Sequence, residues 1–293
     1  MDSKRFNTPL GRVFDVFNVI FLGLIALVMI LPFLYILAGS FATETELTAR
    51  SFFIWPNEFS VEAYRYTFST PTFLRSLFVT VGVTVVGTMI QLFATLTMAY
   101  PLSRTDMPGR KFFLNMVIFC MLFSGGMIPT FLVVKNLKLL DSYWALILPI
   151  AVSPFNLLII KNFFQELPKE LEEAARIDGC SDIGVFAKII LPLSKPTIAT
   201  FTLFYAVGIW NDFMSGLLYI SDNKKWPIQL LLRQITMSSS GANALGTMDM
   251  NYTPPEQGIK FAVIVIATVP ILLFYPFLQK HFAKGLLVGS VKG

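Results

Sequence analysis

Residues Ser76–Ser103 read SLFVTVGVTVVGTMIQLFATLTMAYPLS, 28 consecutive positions without a charged side chain. A helix of that length, rising about 1.5 Å per residue, spans about 42 Å, more than the roughly 30 Å of hydrocarbon in a bilayer. The run shows no strand-like alternation, and a backbone in lipid must satisfy its own N–H and C=O groups. It therefore predicts a transmembrane helix. Five more runs share its character. Val16–Thr43 is uncharged over 28 residues, Phe112–Val134 over 23, and Ser142–Ile160 and Phe261–Gln279 over 19 each, while Pro196–Ser221 is interrupted only by Asp212. The expected fold is all-α, a polytopic membrane protein of six helices forming one domain over residues 1–293.

The composition demands the same solvent. Of 293 residues 55% are hydrophobic and 14% charged, with 29 Phe and a mean hydropathy of +0.66, whereas soluble domains carry about a quarter charged residues. Two cysteines, Cys120 and Cys180, make neither a disulfide framework nor a zinc site. The single His281 leaves no histidine cluster for a metal, and the chain has no Gly-rich phosphate loop. No cofactor is expected, and the net charge of +5 reads as membrane orientation, not nucleic-acid binding.

Six spans put both termini on one side. The first run is too long, and its Lys4-Arg5 flank too poor in small-residue cleavage signals, for a removed signal peptide. The amino end, the Arg104–Lys111 loop, the Lys161–Lys195 loop and the tail from Lys280 together hold 14 of the 23 lysines and arginines, so the positive-inside rule places both termini in the cytoplasm. Two long loops, residues 42–74 and 222–259, then lie outside. Their mixture of aromatics, prolines and charges (Trp55-Pro56, Trp226-Pro227) predicts ordered, partly helical loops. Ser238-Ser239-Ser240-Gly241 is the most linker-like stretch, and the glycosylation-like triplet Asn251-Tyr252-Thr253 is assigned no function. Helix breakers mark several spans: Pro32, Gly125-Gly126 with Pro129, Pro149 and Pro154, Pro270 and Pro276.

The loop between the fourth and fifth runs, residues 164–194, is the most specific part of the chain. It contains Leu167-Pro168-Lys169-Glu170-Leu171-Glu172-Glu173-Ala174-Ala175-Arg176-Ile177-Asp178-Gly179-Cys180-Ser181-Asp182, then Lys188-Ile189-Ile190-Leu191-Pro192. Proline at the first helical position, acids in the first turn and Gly179 at a left-handed cap predict a short helix. Glu172 and Arg176, four apart, are placed to pair along its surface. Ser181 or Asp182 caps a second short helix that Pro192 ends. The apolar side is small (Leu171, Ala174, Ala175, Ile177) and rimmed by charge. Such a face suits close approach by another protein and equally suits an amphipathic connector resting on headgroups.

Glu173-Ala174-Ala175, then Gly179, then nine residues, then Ile189-Ile190-Leu191-Pro192 resembles the E-A-A-x-x-x-G-(nine)-I-x-L-P motif of importer-type ABC transporter permeases, with every fixed position and spacing matched. Cys180 stands where that family commonly has alanine. The resemblance implies a coupling helix that docks in a groove of a cytoplasmic ATPase, with Glu172, Glu173, Ala174, Ala175, Arg176, Asp178, Gly179, Leu191 and Pro192 as coupling residues. Trp210-Asn211-Asp212-Phe213 and the tail Gln279–Gly293 are similar to the carbohydrate branch, in the half like the maltose importer's second permease. Phe123-Ser124-Gly125-Gly126-Met127-Ile128-Pro129, Pro227-Ile228-Gln229-Leu230, Pro254-Pro255-Glu256 and Tyr275–Lys280 are similar to the subgroup importing complex oligosaccharides such as alginate or pectin fragments. The family implies a second homologous permease, two ATPase subunits and an extracytoplasmic solute-binding protein, in a bacterial cytoplasmic membrane. The chain itself is then no enzyme.

Sugar sites stack aromatic faces on the ring and hydrogen-bond its hydroxyls, which makes Phe201, Phe204, Tyr205, Trp210, Asn211 and Asp212 in the fifth run pathway candidates. For each aromatic, helix packing or lipid contact is the competing role. Lys224, Lys225 and Arg233 outside suit an acidic sugar or a binding-protein rim. The rival reading, an ion-coupled secondary transporter, calls for ionisable relays inside the spans, and here only Asp212 interrupts one.

Overall fold

The computed structural model describes residues 9–237 and 255–289. The Lys4-Arg5 flank, the Ser238–Gly241 stretch, the Asn251–Thr253 triplet, Pro254 and residues 290–293 of the tail lie outside the described residues. In chain order the helices are α1 (Pro9–Ser40), α2 (Glu44–Ala49), α3 (Glu62–Ser69), α4 (Pro71–Ser103), α5 (Arg110–Leu122), α6 (Met127–Asn136), α7 (Trp144–Ile147), α8 (Pro154–Glu166), α9 (Lys169–Ile177), α10 (Asp182–Val185), α11 (Leu191–Leu193), α12 (Lys195–Trp210), α13 (Met214–Tyr219), α14 (Ile228–Met237) and α15 (Glu256–Gly289). Gly11–Ser40, Pro71–Ser103 and Glu256–Leu273 are each long and apolar enough to cross a membrane. Three bent pairs supply the other apolar segments: α5 with α6 at 115°, residues 144–150 with α8 at 53°, and residues 182–193 with α12 at 81°.

Each bend has a local cause. Between α5 and α6, Phe123 is extended and Gly126 takes φ +83°, a region open to glycine. Pro129, expected as a breaker, falls in the first turn of α6, where a missing N–H has no intrahelical partner to lose. Before α8, proline forces the preceding residue out of the helical region, and Ser153 is extended and caps Asn156 N at 3.4 Å. A straight helix would offer the Ile150 carbonyl the N–H of residue 154. Proline has none, and the Gln91 side chain donates to that carbonyl instead at 2.8 Å. Pro32, Pro270 and Pro276 are carried within α1 and α15 without a break. The helix is shorter than the expected span Pro196–Ser221: α12 stops at Trp210 and a separate short helix, α13, follows.

The chain forms two compact units. One comprises the chain up to Pro71 with Gln234–Ala267. Here the loop 42–74 is ordered, as expected: it holds α2, α3 and a single antiparallel bridge between Ala42 and Phe59. Glu46 is its tie point, paired with Arg50 and accepting from Asn57 N at 3.0 Å and Glu58 N at 3.2 Å. The Glu44 carboxylate accepts from Gln257 N and Gly258 N, two of the orphan amides that open α15. Gly39 lies so close to the Phe261 ring that a Cβ would stand 2.5 Å from it.

The other unit comprises Thr72–Arg233 and Thr268 onward. Its rod is α4, whose buried stripe is small and polar: Ser76, Thr80, Gly87, Gln91, Thr95 and Ser103, among others. Phe78, Met89 and Phe93 are exposed. Lipid gives no hydrophobic reason to bury apolar groups against one another, so small residues that allow close approach and polar residues that bond across helices take the inner face. A Cβ on Gly87 would sit 2.8 Å from Ile209 Cδ1. Thr80 Oγ1 accepts from Ile228 N at 2.7 Å, and Thr95 Oγ1 bonds the Tyr205 hydroxyl at 2.8 Å. At the Ser103 end of α4 lies an apolar cluster, with Leu96, Ala99 and Leu102 packed on Leu157, Ile160, Phe164, Val185 and Ile190.

Candidate functional site

α9 begins after Pro168, which sits at the N-cap rather than at the first helical position, with Glu170 and Glu172 in the first turn. Its other end is closed by two reverse bonds. Gly179 N donates to Arg176 O at 3.0 Å and Cys180 N to Ala175 O at 2.9 Å, around Gly179 at φ +82°. That is the Schellman pattern, in which a left-handed residue lets the chain satisfy the last carbonyls and reverse. Ser181 then caps α10, accepting from Gly184 N at 3.2 Å.

Pro192 does not end this second segment. The chain passes through α10, a π-helical turn at Phe186–Ile190 and α11, and bends at Ser194. Proline lacks the N–H that the Lys188 carbonyl would use and its ring crowds that carbonyl, so the turn ahead of it widens instead of terminating. Leu191 is half-buried against the apolar cluster and Pro192 is exposed.

The polar side of α9 also differs from the expected surface pair. Glu172 turns inward, 6% exposed, and pairs with Arg104, just beyond the end of α4, while Arg176 pairs with Asp182 at 2.9 Å. Surface pairs at i,i+4 contribute only a few tenths of a kcal/mol, and a buried carboxylate needs a buried cation far more. The Arg104 guanidinium lies 4.7 Å from the centroid of the Tyr100 ring, which is itself 5.0 Å from the Phe186 ring. Beside α9 opens a polar cavity of about 310 Å³, lined by residues that include Arg104, Asp106, Lys169, Glu173 and Arg176.

What α9 presents outward is apolar. Leu171, Ala174 and Ile177 are exposed, Ile177 at 87%, and Ile183 on α10 is 79% exposed, while Ala175 turns partly into the cluster. Glu173 and Asp178 lie exposed at the rim. A short helix is closed at its C-terminal end and anchored through its buried side, and a small greasy face stands free.

The fifth-run candidates are not gathered at one place. Tyr205 is buried and bonded to Thr95, Trp210 is buried, and Phe204 is exposed with its ring 5.8 Å from Phe201. Asn211 is exposed, and the Asp212 carboxylate accepts from Ser215 N in the first turn of α13 at 3.0 Å. Sequence reasoning missed Arg104, Tyr100 and Phe186. The first two close the charge-free run that ends at Ser103, and Phe186 lies in the loop already singled out.

A family model for the inner membrane component of binding-protein-dependent transport systems matches residues 3–288. Protein LplC of Bacillus subtilis (strain 168) is 68% identical over 287 residues, 98% of this chain and 97% of that protein. The polygalacturonan/rhamnogalacturonan transport system permease protein YtcP of the same organism is 58% identical over 284 residues, 97% of this chain and 99% of that protein. Among solved structures, a chain of a bacterial ABC transporter involved in import of the acidic polysaccharide alginate superposes with a TM-score of 0.88 at 30% identity, covering 95% of this chain and 100% of that one. The chain belongs to the family of inner membrane components of binding-protein-dependent transport systems, the permease subunits of ABC importers.

Proposed function

We propose that this permease forms one half of the path for acidic oligosaccharides, uronic-acid oligomers of the kind released from pectin or alginate. The support is the polygalacturonan/rhamnogalacturonan permease and the alginate importer among its relatives. A second, homologous permease completes the path, two ATPase subunits drive it and an extracytoplasmic binding protein loads it. The whole chain acts as one membrane domain, with both termini and the 164–194 loop in the cytoplasm and the loops 42–74 and 222–259 outside.

The observation that carries the reading is the exposed apolar face of Leu171, Ala174, Ile177 and Ile183, set beside a closed C-terminal turn and an inward-facing ion pair. Closure of the ATPase pair on ATP draws these helices together, and the cavity between the two permeases turns from inward to outward facing. The coupling residues give the chain a lever. Phe204 and Asn211, the exposed members of the fifth-run set, are its pathway candidates.

The test is uptake into proteoliposomes holding both permeases and the ATPase, with trigalacturonate delivered by the binding protein. Uptake should require ATP and all four kinds of subunit. Uptake driven by a proton or sodium gradient without ATP would establish the ion-coupled alternative instead.

A further inference from the structure

Resting on the docking reading above, we propose that Arg104 is the positioning residue through which the coupling helix drives the membrane spans: paired with Glu172 and seated on Tyr100, it locks α9 to α4 as one body. The side chains involved form a continuous stack. Glu172 reaches inward from α9, Arg104 receives it with only 14% of its side chain exposed, Tyr100 lies 4.7 Å beneath the guanidinium, and Phe186 of the second coupling segment lies 5.0 Å from Tyr100. Both coupling segments are thereby fastened to the same turn of α4. Arg110 Nε, donating to the Leu102 carbonyl at 2.9 Å, ties the start of α5 to that same turn.

The planar guanidinium suits this task. One nitrogen, Nη1, pairs with the carboxylate while the guanidinium face rests on an aromatic ring, so the side chain is held from two sides. Lysine would keep the charge and lose the flat face that rests on the ring. Besides the exposed Arg176–Asp182 pair, α9 meets the apolar cluster through the half-buried Ala175 and the flanking Leu167 and Cys180. Apolar contacts of that kind slide, whereas a largely buried ion pair resists being pulled apart because each charge would lose its partner.

The distal half of the device is α4 itself. Gln91 bonds Ile150 beside α8, Thr95 bonds Tyr205 on α12, and Thr80 receives the first amide of α14. A displacement delivered at Arg104 therefore reaches three other elements through hydrogen bonds carried by one rod.

The experiment uses the complete transporter in proteoliposomes and reads trigalacturonate molecules transported per ATP hydrolysed. Arg104→Met strands Glu172 and so reports on folding as well. The pair Arg104→Met with Glu172→Met removes both charges at similar volume and is the decisive variant. It should copurify with the ATPase at the original level yet transport at least fivefold less sugar per ATP, and Arg104→Lys should fall between it and the unaltered chain. Transport per ATP within twofold of the original would overturn the proposal, as would loss of ATPase copurification, which would make the clamp an assembly element. Ile177→Asp separates this failure from failure of the docking reading. If Ile177→Asp leaves the ATPase bound, docking on this face is wrong and the clamp falls with it. If it releases the ATPase while the double-methionine variant keeps its transport ratio, only the clamp is refuted.

Discussion

Gly179 offers the sharpest separation of backbone strain from everything else at the coupling loop. It stands at φ +82°, and a Cβ built there meets nothing within 4 Å. Replacement therefore adds no clash, and its cost is the left-handed backbone alone, about 1–2 kcal/mol for an ordinary L-residue. Asparagine, whose side chain bonds locally in that region, should cost less than alanine, and β-branched valine more. At about 1.4 kcal/mol per factor of ten, alanine should reduce the population of the formed turn roughly 5- to 30-fold relative to its alternatives. Losing the turn releases the bonds from Gly179 N and Cys180 N and misaligns α10 against α9. The assay is ATPase activity stimulated by the loaded binding protein in the assembled transporter, alongside trigalacturonate uptake. Coupling should decline in the order Gly, Asn, Ala, Val. Gly126, at φ +83° and ψ 173° and equally open, is the control for location, because Gly126→Ala carries at least as much backbone strain away from the coupling loop and should leave stimulated ATPase activity intact. Full coupled transport by Gly179→Val would refute the reasoning.

Three further expectations follow from other parts of the molecule. Gln91→Leu removes the donor to the carbonyl freed by Pro154 and should lower stability in mixed-micelle denaturation by about 1 kcal/mol. Thr97→Val, whose hydroxyl serves only its own helix at Phe93 O and Ala94 O, should change little. Asp141 accepts from Asp222 N at 2.9 Å and Ser221 N at 2.6 Å, and those amides, with Lys225 nearby, hold its carboxyl below the usual range. Its contribution is thus fully present above the unfolded carboxylate value near 4 and is lost as the pH falls through the lower folded value. The melting temperature should show an acid decline below about pH 4 that is reduced in Asp141→Asn. Single cysteines at Ser181 and Asn223, in a background lacking Cys120 and Cys180, should label from opposite faces of the membrane, and labelling of both from outside would overturn the orientation.

The sequence discloses what is local. Apolar runs of 19 to 28 residues, about the length a helix needs to cross a bilayer, marked all six apolar segments, and Gly179 with Ser181 marked the turn and its cap, because length and capping are properties of neighbouring residues. The inward turn of Glu172 was not legible, since its partner Arg104 lies 68 positions away and an exposed partner, Arg176, stood at the right helical spacing. The breaks show the same division. In the third span the glycine pair and Pro129 were both flagged as breakers, but position within the helix decides the proline's effect, and the glycine pair with its positive-φ Gly126 makes the bend. Pro192 widened a turn it was expected to close. In the fifth span, hydropathy carried the run on to Ser221, while α12 stops at Trp210 and the Asp212 carboxylate bonds into the first turn of α13. The pairing of Tyr205 with Thr95 and of Gln91 with Ile150 depends on which helices meet, and nothing local announces that.

The central claim, that the outward face of α9 docks on an ATPase, is tested most directly by cross-linking. A cysteine at Ile177, 87% exposed, in the cysteine-free background and in the complete transporter, should form a covalent adduct with the ATPase subunit through a short bifunctional reagent. A cysteine at Asn223 should form none. An adduct of Ile177→Cys with the ATPase, absent at Asn223→Cys, is the result predicted. Failure of Ile177→Cys to reach the ATPase in a transporter that still imports sugar on ATP would contradict it.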